Sequence, residues 1–145
     1  MKTKFIRITR FLFIINILIF YLGCVPELST VYTLKNESGK LIKVNVYDSG
    51  PNKEFIHEII LENNESISKE FTDYAGNASH FYYIFNDNSS LGIGSLAIIY
   101  DNSKVSRFNF DNINERNPIL FHSGDTFTFT EEDYENSEDC NGNCE

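Results

Sequence analysis

The chain has 145 residues, of which 41% are hydrophobic, with twelve basic and twenty-one acidic residues and a net charge of −9. This length suits one domain with a single core and is too short for two ordinary domains. The acidic balance argues against nucleic acid and anionic lipid headgroups as partners, because a polyphosphate surface needs clustered lysine and arginine.

The N-terminus has the order of an export signal. Four basic residues and no acidic residue precede an apolar stretch, Phe11 to Leu22, whose one polar interruption is Asn16. A helix of about a dozen residues spans about 18 Å, which is short of the roughly 30 Å hydrocarbon core of a membrane. Residues 1–23 are therefore predicted to be a helical signal peptide rather than a permanent transmembrane helix.

The pair Gly23-Cys24 ends this apolar stretch. It resembles the lipobox of bacterial lipoproteins, in which the signal is cut before the cysteine and the thiol receives diacylglycerol. Tyr21 and Leu22 stand where the commonest lipobox has an aliphatic and then a small residue. We predict cleavage between Gly23 and Cys24 and lipidation of Cys24; an uncleaved anchor and an unmodified buried cysteine are the alternatives.

After a short spacer, residues 24–30, apolar runs recur about every eight to twelve residues with turn residues between them. This spacing predicts an all-β domain over residues 31–130, an antiparallel β-sandwich (immunoglobulin-like) of about 7–9 strands. The clearest run is LIKVNVYD, in which Ile42, Val44 and Val46 alternate with polar or aromatic residues as a half-buried strand requires. The run VYTLKN before it is expected to form a hairpin with it, with Gly39 near the turn.

Further along the chain, HFYYIFN is predicted to be a strand with Phe81, Tyr83 and Phe85 on one face. The glycines of GIGS, from Gly92 to Ser95, lack the spacing of a phosphate loop and are expected to ease a turn or a bulge. The sequence Tyr100 to Lys104 is predicted to be a hairpin loop, because Asp and Asn tolerate left-handed backbone geometry.

The aromatic residues mostly alternate with polar residues, which indicates rings that face a core. An exposed aromatic platform for sugars is the functional alternative. Tyr47 and Tyr82 are the two tyrosines whose position in the alternation predicts exposure.

The C-terminal segment, residues 131–145, is rich in acidic residues. A short helical turn is predicted after Thr130, with Thr130 as N-cap and Asp133 reaching back to the free amides, and a mobile acidic tail after Ser137. Cys140 and Cys144 are predicted to form a disulfide, because lipidation of Cys24 leaves them as an even pair in an oxidising compartment. A redox or metal-binding thiol pair is the alternative.

Catalytic, cofactor and metal sites are not predicted from any motif. The histidines, His57, His80 and His122, lie far apart without metal-binding spacing, and the acidic segment lacks a calcium-loop pattern. A paired-carboxylate hydrolase stays open, but any acid-rich chain would allow it.

Together, the lipobox, the aromatic strands, the segment LAIIYDNSKVSRFNF and the closing FTFTEEDYENSED resemble small uncharacterised lipoproteins common in Bacteroidota. The resemblance implies an outer-membrane lipoprotein with a β-sandwich and transfers no catalytic residue. Such proteins often carry acids directly after the lipidated cysteine when they are exported to the surface. Here VPELST has only Glu27, so a position facing the periplasm is expected.

Loss of residues 1–23 removes four of the twelve basic residues and no acidic residue, which leaves 122 residues with a net charge of −13. The first hypothesis is a non-enzymatic, lipid-anchored binding or accessory module with an envelope protein as partner. The second is an immunity or inhibitor lipoprotein whose acidic surface meets a basic toxin or hydrolase. An envelope hydrolase is the third.

Overall fold

Two β-sheets make up most of the structure, which is a computed structural model that describes residues 28–73, 81–86, 92–121 and 124–144. Eight strands lie within these residues: β1 (Leu28–Glu37), β2 (Ile42–Asp48), β3 (Phe55–Leu61), β4 (Ser66–Asp73), β5 (Ile93–Tyr100), β6 (Lys104–Asn109), β7 (Thr126–Thr130) and β8 (Glu138–Asp139). Helical structure among them is limited to α1 (Glu131–Glu135) and two 3₁₀ segments, Phe81–Phe85 and Pro118–Leu120. The prediction of a mainly β protein is therefore confirmed.

The strands divide into a three-stranded sheet of order β4-β1-β7 and a five-stranded sheet of order β3-β2-β5-β6-β8. All four pairings of the five-stranded sheet are antiparallel, whereas β1 and β7 pair in parallel. Both sheets lie in one compact unit, Ser29–Phe71 with Ser79–Glu145. The second unit, Met1–Leu28 with Thr72–Ala78, adds to the described residues only the first residue of β1 and the last two of β4.

The core draws side chains from both sheets. Leu34 of β1 and Phe127 and Phe129 of β7 belong to the same buried cluster as Val44 of β2 and Ile98 of β5. The alternation along β2 explains why this strand contributes Ile42, Val44 and Val46 to the core. These apolar side chains are fully buried, while the residues between them face the other way. Each large apolar side chain buried in this way contributes about 1.5–3 kcal/mol.

Two predictions about local structure are wrong. The segment Phe81–Phe85 is a 3₁₀ helix rather than a strand, and it buries Phe81, Ile84 and Phe85. The spacing of these three residues is also that of one helical face, and the ring of Phe81 packs at 5.0 Å from Phe121. The expected hairpin of β1 and β2 does not form either, since the two strands belong to different sheets.

The C-terminal acidic segment is ordered, against the expectation of a mobile tail after Ser137. Thr130 caps α1 as predicted, and the Asp133 side chain accepts a hydrogen bond from the Thr130 amide at 2.7 Å. Strand β8 then pairs with β6 through Lys104 opposite Asp139 and Val105 opposite Glu138. The edge of β6 offers unpaired backbone groups to which the C-terminal segment binds as a strand. The acidic composition of the segment does not reveal this pairing.

The turn predictions hold. Strands β5 and β6 form an antiparallel hairpin, and Asp101 and Asn102 in its loop have positive φ angles of 48° and 54°. At the start of β5, a side chain at Gly94 would place its Cβ 2.1 Å from the Asp48 carbonyl oxygen, where the pairing with β2 shifts register. Only glycine allows this close approach, so the GIGS segment serves a bulge as predicted.

Candidate functional site

The outer face of the five-stranded sheet is partly covered. Its residues alternate with the core positions, yet Ala97, Ile99 and Val105 on this face are 4%, 4% and 1% exposed. They cluster with Cys140, and Cys144 packs against them. The C-terminal segment therefore folds over the outer face and protects an apolar strip there.

A disulfide holds this cover. The sulfur atoms of Cys140 and Cys144 are bonded at 2.12 Å, and the Cys140 amide donates to the Ser103 carbonyl at 2.9 Å. At the other end of the loop, the Arg107 guanidinium donates to the Cys144 carbonyl at 3.4 Å. The disulfide predicted between Cys140 and Cys144 is therefore present, and the loop that it closes also contacts Arg107 of β6.

Beside this cover the outer face carries a groove of about 480 Å³, here named the donor groove. Its volume falls in the range of about 300–1,000 Å³ that small-molecule sites occupy. Its lining comes from β2, the β2–β3 loop, β5, β6 and the loop after β6: Tyr47, Lys53, Ser95, Leu96, Ala97, Arg107, Phe108, Asn109 and Asn112.

Among the described residues, those that line the donor groove present hydrogen-bond donors and two cations but no carboxylate. Within the described part of the chain, the Lys53 ammonium makes no ion pair and no hydrogen bond. The amide oxygen of Asn109 accepts from the Asp111 and Asn112 amides, and that of Asn112 accepts from the Asn109 amide. Both asparagines therefore keep their side-chain NH₂ groups as donors.

Tyr47 adds an aromatic surface to the donor groove. Its ring is half-buried and packs edge-to-face on Phe55, with ring centroids 6.1 Å apart. Phe55 itself is 57% exposed. The predicted exposure of Tyr47 is thus partial, and the phenol and its neighbour form an aromatic rim at one side of the groove.

A second groove, of about 370 Å³, lies on the other side of the disulfide loop, and Lys43, Asn45, Glu58 and Cys144 are among its lining residues. Asn45 is 6% exposed, and its Oδ1 is buried without a hydrogen-bond partner among the described residues. A buried polar atom left unsatisfied costs about 1–3 kcal/mol. Such a cost at a groove is typical of a position kept for binding rather than for stability.

Replacement Asn45→Val is expected to raise the free energy of unfolding by about 1 kcal/mol, because it removes the unpaired amide from a β-strand position. Chemical denaturation followed by circular dichroism measures this. Asn143→Val, on the same groove but exposed, is the matched control and is expected to change stability by less than about 0.5 kcal/mol. A loss of stability in the Asn45 variant would mean that the amide is satisfied in solution.

A third cavity, of about 300 Å³, lies beside α1 and is lined in part by Tyr100, Arg116 and Asp133. Arg116 donates to both carboxylate oxygens of Asp133 and to the Thr128 carbonyl. These hydrogen bonds raise the pKa of the Arg116 guanidinium, while burial and the Asp133 charge raise the pKa of Tyr100. Tyr100 is therefore a neutral donor at physiological pH.

The side chain of Asp133 is engaged by several hydrogen-bond donors of the protein. Its carboxylate accepts from Arg116, from the Thr130 amide and from the Thr130 hydroxyl, which anchors the start of α1. A carboxylate that accepts this many hydrogen bonds within the protein acts as a structural group. The third cavity is accordingly built around a capping and ion-pair network.

Several residues singled out in the sequence lie outside the described residues: Gly23 and Cys24 of the lipobox, His80 and His122. His57 lies on β3 opposite Val46. Among the described residues no group of His, Cys, Asp and Glu side chains is arranged to hold a metal ion. No helix in the same ranges is long and apolar enough to cross a membrane.

Comparison of the chain with protein-family models, with curated proteins and with solved structures gives no match.

Proposed function

We propose that this protein is a lipid-anchored bacterial envelope protein that acts as a non-catalytic binding or accessory module, with the outer face of the five-stranded sheet as its binding face. The observation that carries the binding part is the donor groove, whose described lining residues include two cations and the NH₂ groups of Asn109 and Asn112 but no carboxylate. Convergent polar groups in a groove of this size are typical of ligand sites. The wall beside it is fixed by a disulfide, which suits a preformed site.

The anchoring part rests on the sequence of residues 1–24. The disulfide uses Cys140 and Cys144, and Cys24 is the third cysteine of the chain. A disulfide in a small domain fits an exported protein. Strand β1 begins at Leu28, so a lipid on Cys24 would hold the folded domain close to the membrane. We place it at the outer membrane, facing the periplasm.

The two sheets share one core, which supports a packed sandwich as the arrangement of this domain. An immunoglobulin-like form of that sandwich stays a narrower prediction. The parallel pairing of β1 with β7 is the feature that a strictly antiparallel sandwich lacks.

Intact mass of the membrane-fraction protein tests the anchor. The expected mass lacks residues 1–23 and gains acyl groups on Cys24, and Cys24→Ala is expected to abolish both the gain and stable membrane association. Cys144→Ala is the matched control, because it removes a different thiol and leaves the lipobox intact. An unmodified full-length mass in the wild type would overturn the lipoprotein proposal.

The positions of the described carboxylates bear on the paired-carboxylate hydrolase alternative alone. Asp48 is the one buried carboxylate among the described residues, and its Oδ1 accepts from the Gly50 and Glu54 amides. The pair of close, buried acids that a paired-carboxylate hydrolase needs is not found in the same part of the chain, so that hypothesis gains no support. Turnover of any envelope substrate by the purified protein would overturn the proposal.

A second candidate function is an immunity or inhibitor role toward a basic protein. The exposed acids of α1 and β8 favour it, since they lie together on one ordered segment: Glu131, Glu132, Glu135, Glu138 and Asp139. Attraction between such a surface and a basic partner is strongest at low salt. Pull-down from envelope extracts at low salt, without recovery of any basic protein, would count against this role.

A further inference from the structure

We infer that the donor groove binds an anionic sugar, with the carboxylate or phosphate group of the sugar between Lys53 and Arg107 and the sugar ring against Tyr47. The inference rests on the proposed binding function and names the ligand class of the same face. It follows from three features of the groove: its charge, the geometry of its donors and its aromatic rim.

The charge of the groove is opposite to that of the chain. Residues 24–145 contain eight basic and twenty-one acidic residues, because four of the twelve basic residues belong to the predicted signal. Two of those eight line the donor groove, and the nine described residues that line it include no Asp or Glu. A local excess of positive charge on an acidic protein attracts a small anion while the rest of the surface repels other polyanions.

The two cations have different environments. Lys53 has no ion pair and no hydrogen bond from its ammonium within the described residues, so it can contact an anion without losing a protein contact. The Arg107 guanidinium donates to the Cys144 carbonyl at 3.4 Å and has a further contact within the protein, which holds its charge in place. A guanidinium fork binds carboxylate or phosphate in bidentate geometry, and an ammonium adds a point charge.

The remaining donors suit a polyhydroxylated ring rather than a bare ion. Asn109 and Asn112 offer NH₂ groups because their oxygens are occupied by backbone amides. The hydroxyls of Tyr47 and Ser95 can both donate and accept, as sugar hydroxyls do. The Tyr47 ring provides an apolar surface for the ring carbons. Inorganic phosphate could accept from the same donors but has no carbon ring to pack against Tyr47.

Isothermal titration calorimetry on the full lipidated protein in detergent tests the inference with four probes: glucuronate, glucose 6-phosphate, glucose and inorganic phosphate. At least one of the two anionic sugars is expected to bind, and both glucose and inorganic phosphate are expected to bind at least about tenfold more weakly. The anionic sugar that binds identifies the carboxylate or the phosphate as the preferred group. Saturation transfer from protein to the sugar-ring protons is expected in the same samples.

Lys53→Gln and Arg107→Gln are each expected to weaken binding of the anionic sugar by about tenfold. Lys35→Gln is the matched control, because it removes the same charge from β1 of the three-stranded sheet, and it is expected to leave affinity unchanged. Within the described residues the Lys53 side chain has no ion pair or hydrogen bond to lose, so its variant tests binding without removing an interaction that holds the fold. Thermal unfolding of each variant checks that the fold is retained.

Four outcomes would overturn the inference: no binding of either anionic sugar, equal binding of glucose, equal binding of inorganic phosphate, or an equal loss in the Lys35 variant. Failure here is separable from failure of the proposed function. Consumption of a bound sugar would overturn the non-catalytic role and leave the ligand class intact. If the protein has the lipidated mass but neither anionic sugar binds, the ligand class is wrong and the lipid-anchor proposal still stands.

Discussion

Replacement Asn36→Asp is expected to lower the free energy of unfolding by about 3–5 kcal/mol, which is the cost of an uncompensated buried charge. Asn36 is fully buried on β1. Its NH₂ group donates to the Lys40 carbonyl at 2.7 Å and to the Leu61 carbonyl at 2.9 Å. Its oxygen accepts from the amide and the hydroxyl of Ser38. A carboxylate would keep the acceptor and face two carbonyls without a donor.

The effect is expected to be large because this amide joins the two sheets. Asn36 belongs to the three-stranded sheet and Leu61 to the five-stranded sheet, so one side chain fixes their ends together. Guanidinium denaturation at neutral pH measures the loss, which is expected to shrink relative to wild type as the pH falls toward about 4 and the new carboxyl is protonated.

Asn52→Asp is the matched control for this substitution. Asn52 lies exposed in the turn before β3, and the same change of charge there is expected to alter stability by no more than about 0.5 kcal/mol. Equal effects at Asn36 and Asn52 would show that the Asn36 amide does not carry the link between the sheets.

Local features of the fold could be predicted where neighbouring residues decide the structure. The alternation of Ile42, Val44 and Val46 is by itself enough to predict a strand and the face of it that is buried. The Thr130 and Asp133 pair closes a capping box over four positions, and the β5–β6 loop follows from the tolerance of Asp and Asn for positive φ. In each case the residues that decide the structure lie within a few positions of one another in the sequence.

Features decided by distant residues could not be predicted. The parallel pairing of Thr33 with Thr126 joins strands that are far apart in sequence, and no local pattern records it. The segment Phe81–Phe85 satisfies a strand period and a helical period at once, and contacts such as that of Phe81 with Phe121 select the helical form. Strand β8 is too short and too polar to show a period at all.

The donor groove was missed for a related reason. Tyr47 was singled out by its position in the alternation, but Lys53 and Arg107 come from separate segments and form no motif. No local signal in the sequence could have directed attention to them, since Lys53 is followed directly by Glu54 and has no cationic neighbour. Only the structure shows that the Lys53 ammonium makes no ion pair and no hydrogen bond within the described residues.

Removal of the disulfide by the double replacement Cys140→Ala and Cys144→Ala is expected to lower the free energy of unfolding by about 2 kcal/mol, from the chain entropy of a short closed loop. Alanine keeps a small apolar group at both positions, so the change reports the cross-link rather than a new polar group. Denaturation of the oxidised wild type and of the double variant measures the difference. A matched comparison is the wild type reduced with a dithiol, which is expected to show the same loss.

The damage is expected to concentrate on the outer face. The loop that the disulfide closes covers Ala97, Ile99 and Val105, and β8 holds to β6 by only two residue pairs. Hydrogen exchange is therefore expected to accelerate at β8 and at Val105 while the amides of β2 keep their protection. In the double variant Arg107 also loses the Cys144 carbonyl that holds its guanidinium, so its affinity for the anionic sugar is expected to fall. The fall is expected to be smaller than in Arg107→Gln, because that variant loses the charge itself. If hydrogen exchange accelerates equally at the amides of both sheets, the disulfide stabilises the whole core rather than the outer face alone.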